Sequence, residues 1–162
     1  MNFQTRNWYQ FLTDRQKKLI DVTEQLVNHY AEQDQYLEDY SFLVFSMSKA
    51  YEGFLKKLLF ELKLIDKKTY FGRRFRIGRA LNPDLPKRLR DEYWLYDDVG
   101  RLCSQKAAIQ LWDGWLHCRN KVFHFFAQDN SLLSYNEALQ KIQKLDHAMG
   151  TAVECQQRKH KK

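Results

Sequence analysis

The chain has 162 residues, a formal net charge of +7, six glycines, two prolines and three cysteines. That is the length of one domain with one real core, and too little glycine and proline for a loop-rich β protein. The start Met-Asn-Phe-Gln-Thr-Arg has no apolar h-region, and no apolar run approaches the ~20 residues of a membrane span, so neither a signal peptide nor a membrane segment is expected.

Thr13-Asp-Arg-Gln16 reads as a capping box. After it Leu19, Val22, Thr23, Leu26, Val27 and Tyr30 recur at helical spacing, which predicts a helix over 14–32. A short helical lead-in is expected around Arg6–Leu12, where Trp8, Tyr9, Phe11 and Leu12 either pack on the domain or mediate dimerisation. Gln33–Gln35 is a polar break. A long second helix follows over 37–63, with Tyr40, Val44, Met47, Tyr51, Phe54, Leu55, Leu58, Leu59 and Leu62 on a wide apolar face; this is the expected central core helix. Lys49 and Glu52 lie three apart on it and share a face. Read without context they are an ordinary surface ion pair.

Residues 64–91 are punctuated by Gly72, Gly78, Pro83 and Pro86, and short helical turns are predicted at 66–70, 77–81 and 86–92. Asp97-Asp98 can cap a helix running to about 123 or 126, in which Gly114 would let a neighbouring helix approach closely. A turn is expected at Ala127–Ser131. Ser134-Tyr-Asn-Glu137 is a second capping box, opening a helix to about 156. The basic tail 158–162 is expected to fray. These elements make an all-α protein, an up–down bundle of about four main helices with an N-terminal helical extension. A single domain over 1–162 would have its core at 37–155, with a basic insertion at 63–90.

Charge is unevenly distributed. Leu19–Ser48 holds six acids and no Lys or Arg, whereas Lys63–Arg90 holds ten Lys or Arg against Asp66 and Asp84. Within the latter, Phe71-Gly-Arg-Arg-Phe-Arg-Ile-Gly-Arg79 interleaves aromatics with Arg73, Arg74, Arg76 and Arg79, a pattern that suits single-stranded RNA through stacking and phosphate contact. A solvated loop or a docking face for an acidic protein is the alternative. Cys103, Cys118 and Cys155 are odd in number and lack CxxC spacing, which argues against a disulfide framework or zinc site and for buried free thiols in a reducing cytoplasm. No HExxH or Cys/His ligand spacing occurs, so neither a metal nor a cofactor is expected.

The chemistry-bearing stretch is Trp112-Asp-Gly-Trp-Leu-His-Cys-Arg119-Asn120-Lys121-Val-Phe-His124-Phe-Phe126. A fixed cation and a side chain that titrates near neutrality are what acid–base chemistry on a phosphodiester needs. On a straight helix, positions five apart point about 140° away from each other. Either the helix ends or distorts between Arg119 and His124, or a second copy of the chain completes the site. His29, His117 and His147 are expected to be structural, and His160, in the frayed tail, is expected to have no role.

This stretch resembles the Arg-x4-6-His motif of HEPN domains, small helical proteins that include many RNA-cleaving toxins, and the RNase LS-type branch in particular. The resemblance implies a metal-independent endoribonuclease. Attack by the 2′-hydroxyl leaves a 2′,3′-cyclic phosphate, and two protomers dock so that their motifs meet in one cleft. It makes His124 the proton shuttle and Arg119 the phosphate cation. Asn120 orients the phosphate or His124, and Glu52 holds Arg119 or carries a second proton. Lys121 adds positive potential or faces solvent. Lys49 stands where that branch has an arginine, in an Arg-x-x-Glu pair facing the motif. The tyrosine that often follows the histidine by three, in toxins neutralised by a nucleotidyltransferase, is here Ala127. That favours a separate antitoxin protein or association with other defence components. The other class of reading is a catalytically silent module that binds RNA or nucleotides, or a dimerising helical adaptor.

Overall fold

A computed structural model describes the chain except residues 34–35, 125–126, 128–131 and 161–162. Two of the three residues of the polar break at 33–35, Phe126 and most of the turn expected at 127–131 therefore lie outside the described residues, as do the last two residues of the basic tail. The described elements are helical throughout, and they form an all-α bundle. In chain order they are α1 (Asp14–Ala31), α2 (Ser41–Glu61), α3 (Lys67–Phe71), α4 (Ile77–Ala80), α5 (Tyr96–Leu102), α6 (Gln105–Trp115), a π-helical turn (Leu116–Asn120), α7 (Lys121–Phe123) and α8 (Tyr135–His160). Among the described residues no helix is long and apolar enough to cross a membrane.

Helix α2 is the centre of the bundle, packed against α1 on one side and α8 on the other, with α6 closing against α8. Its Leu43, Val44, Met47, Ala50, Tyr51, Phe54, Leu55, Leu58 and Leu59 are completely buried, each large aliphatic contributing roughly 1.5–3 kcal/mol. It starts at Ser41 rather than 37. Asp39 accepts from the Ser41 amide at 2.9 Å and from the Leu133 amide at 3.1 Å, and the Tyr40 amide donates to Leu133 O at 2.8 Å. The approach to the helix is thus tied to the segment before α8. Burial pushes the Asp39 carboxyl up, but hydrogen bonds from Ser41 and Leu133 hold it below the ordinary value. At the far end Lys63 takes a left-handed conformation, φ 60°, and the Leu64 amide closes back on Leu59 O at 2.9 Å, a Schellman-type stop.

The Thr13–Gln16 capping box forms on α1, with both side-chain-to-backbone bonds in place. The Ser134–Glu137 box forms likewise, the Ser134 amide donating to Glu137 at 2.8 Å and the Glu137 amide to Ser134 Oγ at 3.3 Å. The N-terminal lead-in contains a 3-10 turn at Tyr9–Phe11 and packs on its own domain. Trp8 is buried, and its indole N–H donates to Asp146 of α8 at 2.7 Å. The Tyr9 hydroxyl donates to Asp21 at 2.8 Å; burial first, and that carboxylate second, push its pKa up to about 12.

The helix expected from Asp97 onward is broken in two. Ser104 takes extended backbone and caps α6 by accepting from the Ala107 amide at 3.1 Å, so a local side-chain cap overrides the continuous apolar pattern. The short turns expected in the insertion form as α3 and α4, and as a 3-10 turn at Lys87–Leu89. Gly114 sits against α2, and a Cβ there would lie 2.8 Å from the Tyr51 hydroxyl. That hydroxyl donates to Leu111 O at 2.9 Å.

The expectation of three free thiols is corrected. Cys103, at the break between α5 and α6, is disulfide-bonded to Cys155 near the end of α8, with Cα atoms 5.4 Å apart. Chain order could not show this, because the pairing depends on the break presenting Cys103 to α8. Cys118 remains a free, buried thiol, and burial pushes its pKa up to about 11.

Candidate active site

Three parts of the chain meet at one cleft of about 360 Å³. Helix α2 contributes Glu52 and Lys56; the basic insertion contributes Arg73, Phe75, Arg76, Ile77, Gly78 and Arg79; the end of the α6 run contributes Trp115, Arg119, Asn120 and His124.

The last part is shaped by the π-helical turn. The Lys121 amide bonds back to Leu116 O, five residues away, instead of the usual four, and so inserts extra backbone into the helix. The helix then ends, with His124 in extended conformation at φ −113° and ψ 133°. Distortion and termination together bring Arg119 Nη1 to 3.5 Å from His124 Nε2. The angular separation that a straight helix imposes is thereby removed within a single chain. Ser48 of α2 braces the distortion: its buried hydroxyl donates to Cys118 O, in the middle of the π turn, at 2.6 Å.

Glu52 accepts from Arg119 Nε at 3.1 Å. This engages the Nε edge of the guanidinium, while its Nη1 faces His124 Nε2 and the residue lines the cleft, and a guanidinium can offer paired N–H groups to an anion. The Arg119 guanidinium also lies 5.9 Å from the Trp115 ring centre, and Trp115 stacks on Trp112 at 5.6 Å. Gly78 brings the insertion onto this helix, since a Cβ there would overlap the Trp115 ring. One turn beyond Glu52, Lys56 Nζ donates to Gly72 O at 2.6 Å, fixing the other end of the same segment.

The cleft lining carries Lys56, Arg73, Arg76, Arg79 and Arg119 against the carboxylate of Glu52. Such a cleft attracts an anion and favours charge developing on it. Arg79 is itself anchored, donating to Asp91 and to Leu89 O, each at 2.7 Å. Among the described residues no three His, Cys, Asp or Glu converge as a metal-ligand set.

The residues singled out from sequence divide into two groups. Arg119, His124, Asn120, Glu52, Arg73, Arg76 and Arg79 share the cleft. Arg74 lines a neighbouring groove instead. Lys49 and Lys121 are exposed and stand outside the cleft lining. His117 is half-buried, and burial, followed by Lys144 and Lys121, holds its pKa below the ordinary histidine value. Lys56 and Trp115 were not singled out. A one-turn step from Glu52 would have pointed to Lys56, while the role of Trp115 depends on Gly78, which is far away in sequence.

No protein-family model, curated protein or solved structure matches this chain, so the reading of its function stands on the motif and on this geometry.

Proposed function

We propose that the chain is a metal-independent endoribonuclease of the HEPN type, acting as the toxin of a toxin–antitoxin or phage-defence system. The observation that carries the reading is the approach of Arg119 to His124 at 3.5 Å in a cleft lined by cations. A phosphodiester seated on Arg119 would have its negative charge matched as it grows in the transition state. His124 would take the proton of the adjacent 2′-hydroxyl, whose oxygen then attacks phosphorus. The bond to the 5′-oxygen breaks, that oxygen takes up a proton, and a 2′,3′-cyclic phosphate remains on the upstream fragment. The Arg119–Glu52 contact supports a holding role for Glu52. Asn120, at the junction of the π turn and the cleft, would orient the phosphate. Arg73, Arg76 and Arg79 would carry the neighbouring phosphates.

The partners this reading implies are RNA, a second copy of the chain, and a neutralising protein antitoxin or defence component. It puts the working protein in the cytoplasm, where the Cys103–Cys155 pair meets a reducing poise. Activity with both cysteines reduced is therefore part of the expectation. The test is incubation of the full chain with end-labelled single-stranded RNA in excess EDTA, beside folded His124→Ala and Arg119→Ala variants. Cleavage by the parent alone supports the reading. Cleavage undiminished in both variants, or RNA binding with no cleavage by the parent, overturns it; the second result leaves an RNA-binding module.

A further inference from the structure

A second concavity, about 690 Å³, adjoins the cleft and is lined by Lys68, Arg73, Arg74, Phe75, Arg76 and Tyr93 among others. Arg73, Phe75, Arg76 and Arg79 line both spaces, so the two adjoin across a shared set of cations. We propose that this groove holds an unpaired base of the RNA strand, stacked at the Phe75–Tyr93 pair, beside the phosphate bound at Arg119. The assignment of that phosphate rests on the nuclease reading. The groove's preference for a single strand does not.

Three features of the groove argue for this occupant. The first is aromatic surface. The Phe75 and Tyr93 rings lie 6.1 Å apart at 68°, and Tyr93 is 41% exposed, a large ring that the core does not use. The second is rigidity. The Tyr93 amide donates to Asp91 at 3.1 Å, and Asp91 is gripped by Arg79 at 2.7 Å. The next residue, Trp94, is locked by its indole bond to Asn82 O at 2.8 Å and by Arg90 lying 3.8 Å over its ring. Tyr93 is therefore displayed on a fixed turn, and little backbone freedom remains to be lost on stacking.

The third is charge. The two carboxylates in the lining are occupied within the protein, since Asp91 pairs with Arg79 and Asp66 caps α3 by accepting from the Thr69 amide at 2.7 Å. Among the described residues Arg73, Arg74 and Arg76 form no ion pair. The groove thus offers cations to a backbone and a ring to a base. A base can reach a ring only when it is unstacked from its neighbours, so a duplex would gain the phosphate contacts alone.

The test separates stacking from charge. Binding of a fluorescent twelve-nucleotide oligoadenylate is compared by anisotropy, in EDTA, with an abasic oligomer of equal length and charge and with the paired duplex. The full-length His124→Ala protein is used so that nothing is cut. Oligoadenylate is expected to bind about tenfold or more tightly than the other two. Tyr93→Leu should abolish that margin, Tyr93→Phe should keep it, and neither should change the salt dependence, because net charge is unaltered. Equal binding of oligoadenylate and the abasic strand, or a margin that survives in Tyr93→Leu, overturns the proposal. Cleavage is not read in this assay, so a failed nuclease reading would leave the stacking result standing, and the reverse.

Discussion

Ser48→Ala isolates the link between the core and the site. The hydroxyl and its acceptor, Cys118 O, both belong to buried residues, and the substitution removes one oxygen without opening a significant cavity. A buried carbonyl deprived of a partner costs about 1–3 kcal/mol. In a chain of this length that corresponds to a fall in Tm of about 2–12 °C. The same change removes a brace on the π turn, so the backbone can relax toward the ordinary helical register and swing Arg119 relative to His124. Misplacement by about 1 Å is worth up to about 100-fold in rate. The assays are calorimetry and single-turnover RNA cleavage, with Ser48→Thr as the variant that keeps the hydroxyl. Ser48→Ala is expected to lower both Tm and rate, and Ser48→Thr to recover both at least in part. A Ser48→Ala protein with parental Tm and parental rate would refute the idea that this bond holds the turn.

The remaining predictions are more local. The Cys103–Cys155 bond spans 52 residues, so Cys103→Ser, or reduction, should cost about 4 kcal/mol by chain entropy, and thiol titration of the unreduced, denatured chain should find Cys118 alone. Three reactive thiols under those conditions would contradict the pairing. His117 is held below its ordinary value of 6.5, chiefly by burial. The unfolded chain therefore takes up this proton before the folded one does, and stability should be full above about 6.5 and decline as pH falls below it; His117→Asn should flatten that decline in a urea-midpoint series. Glu52→Gln keeps the side chain's shape but removes the charge gripping Arg119 Nε. It should lower the cleavage rate by up to about 100-fold while RNA affinity, measured by anisotropy, changes little.

Much of the fold could be read from the sequence because it is written in local chemistry. Both capping boxes formed where Thr13–Gln16 and Ser134–Glu137 place them, and the apolar face of α2 became the core. The break before α6 was missed because Leu102, Cys103, Ala107 and Leu111 keep helical spacing across it, and only the cap at Ser104 betrays it. The disulfide follows from that break and was hidden with it. In the site, residue types and spacing drew attention to Arg119, His124 and Glu52, and the spacing itself showed that a straight helix would not serve. The form the distortion takes could not be read, because it depends on Ser48 meeting Cys118 O across 70 positions of chain. The insertion's arginines were visible as a charge cluster. Their place beside Arg119 depends on Gly78 fitting against Trp115, a tertiary contact with no periodic signature.

The most direct test of the central claim is cleavage of a DNA oligonucleotide carrying a single ribonucleotide, measured under single-turnover conditions in EDTA with identification of both product ends. One cut is expected, immediately 3′ of the ribose, leaving a 2′,3′-cyclic phosphate and a free 5′-hydroxyl, with the rate reduced at least about 100-fold in His124→Ala. Cuts at deoxyribose positions, or an undiminished rate in that variant, would contradict the assignment of 2′-hydroxyl attack to the Arg119–His124 pair.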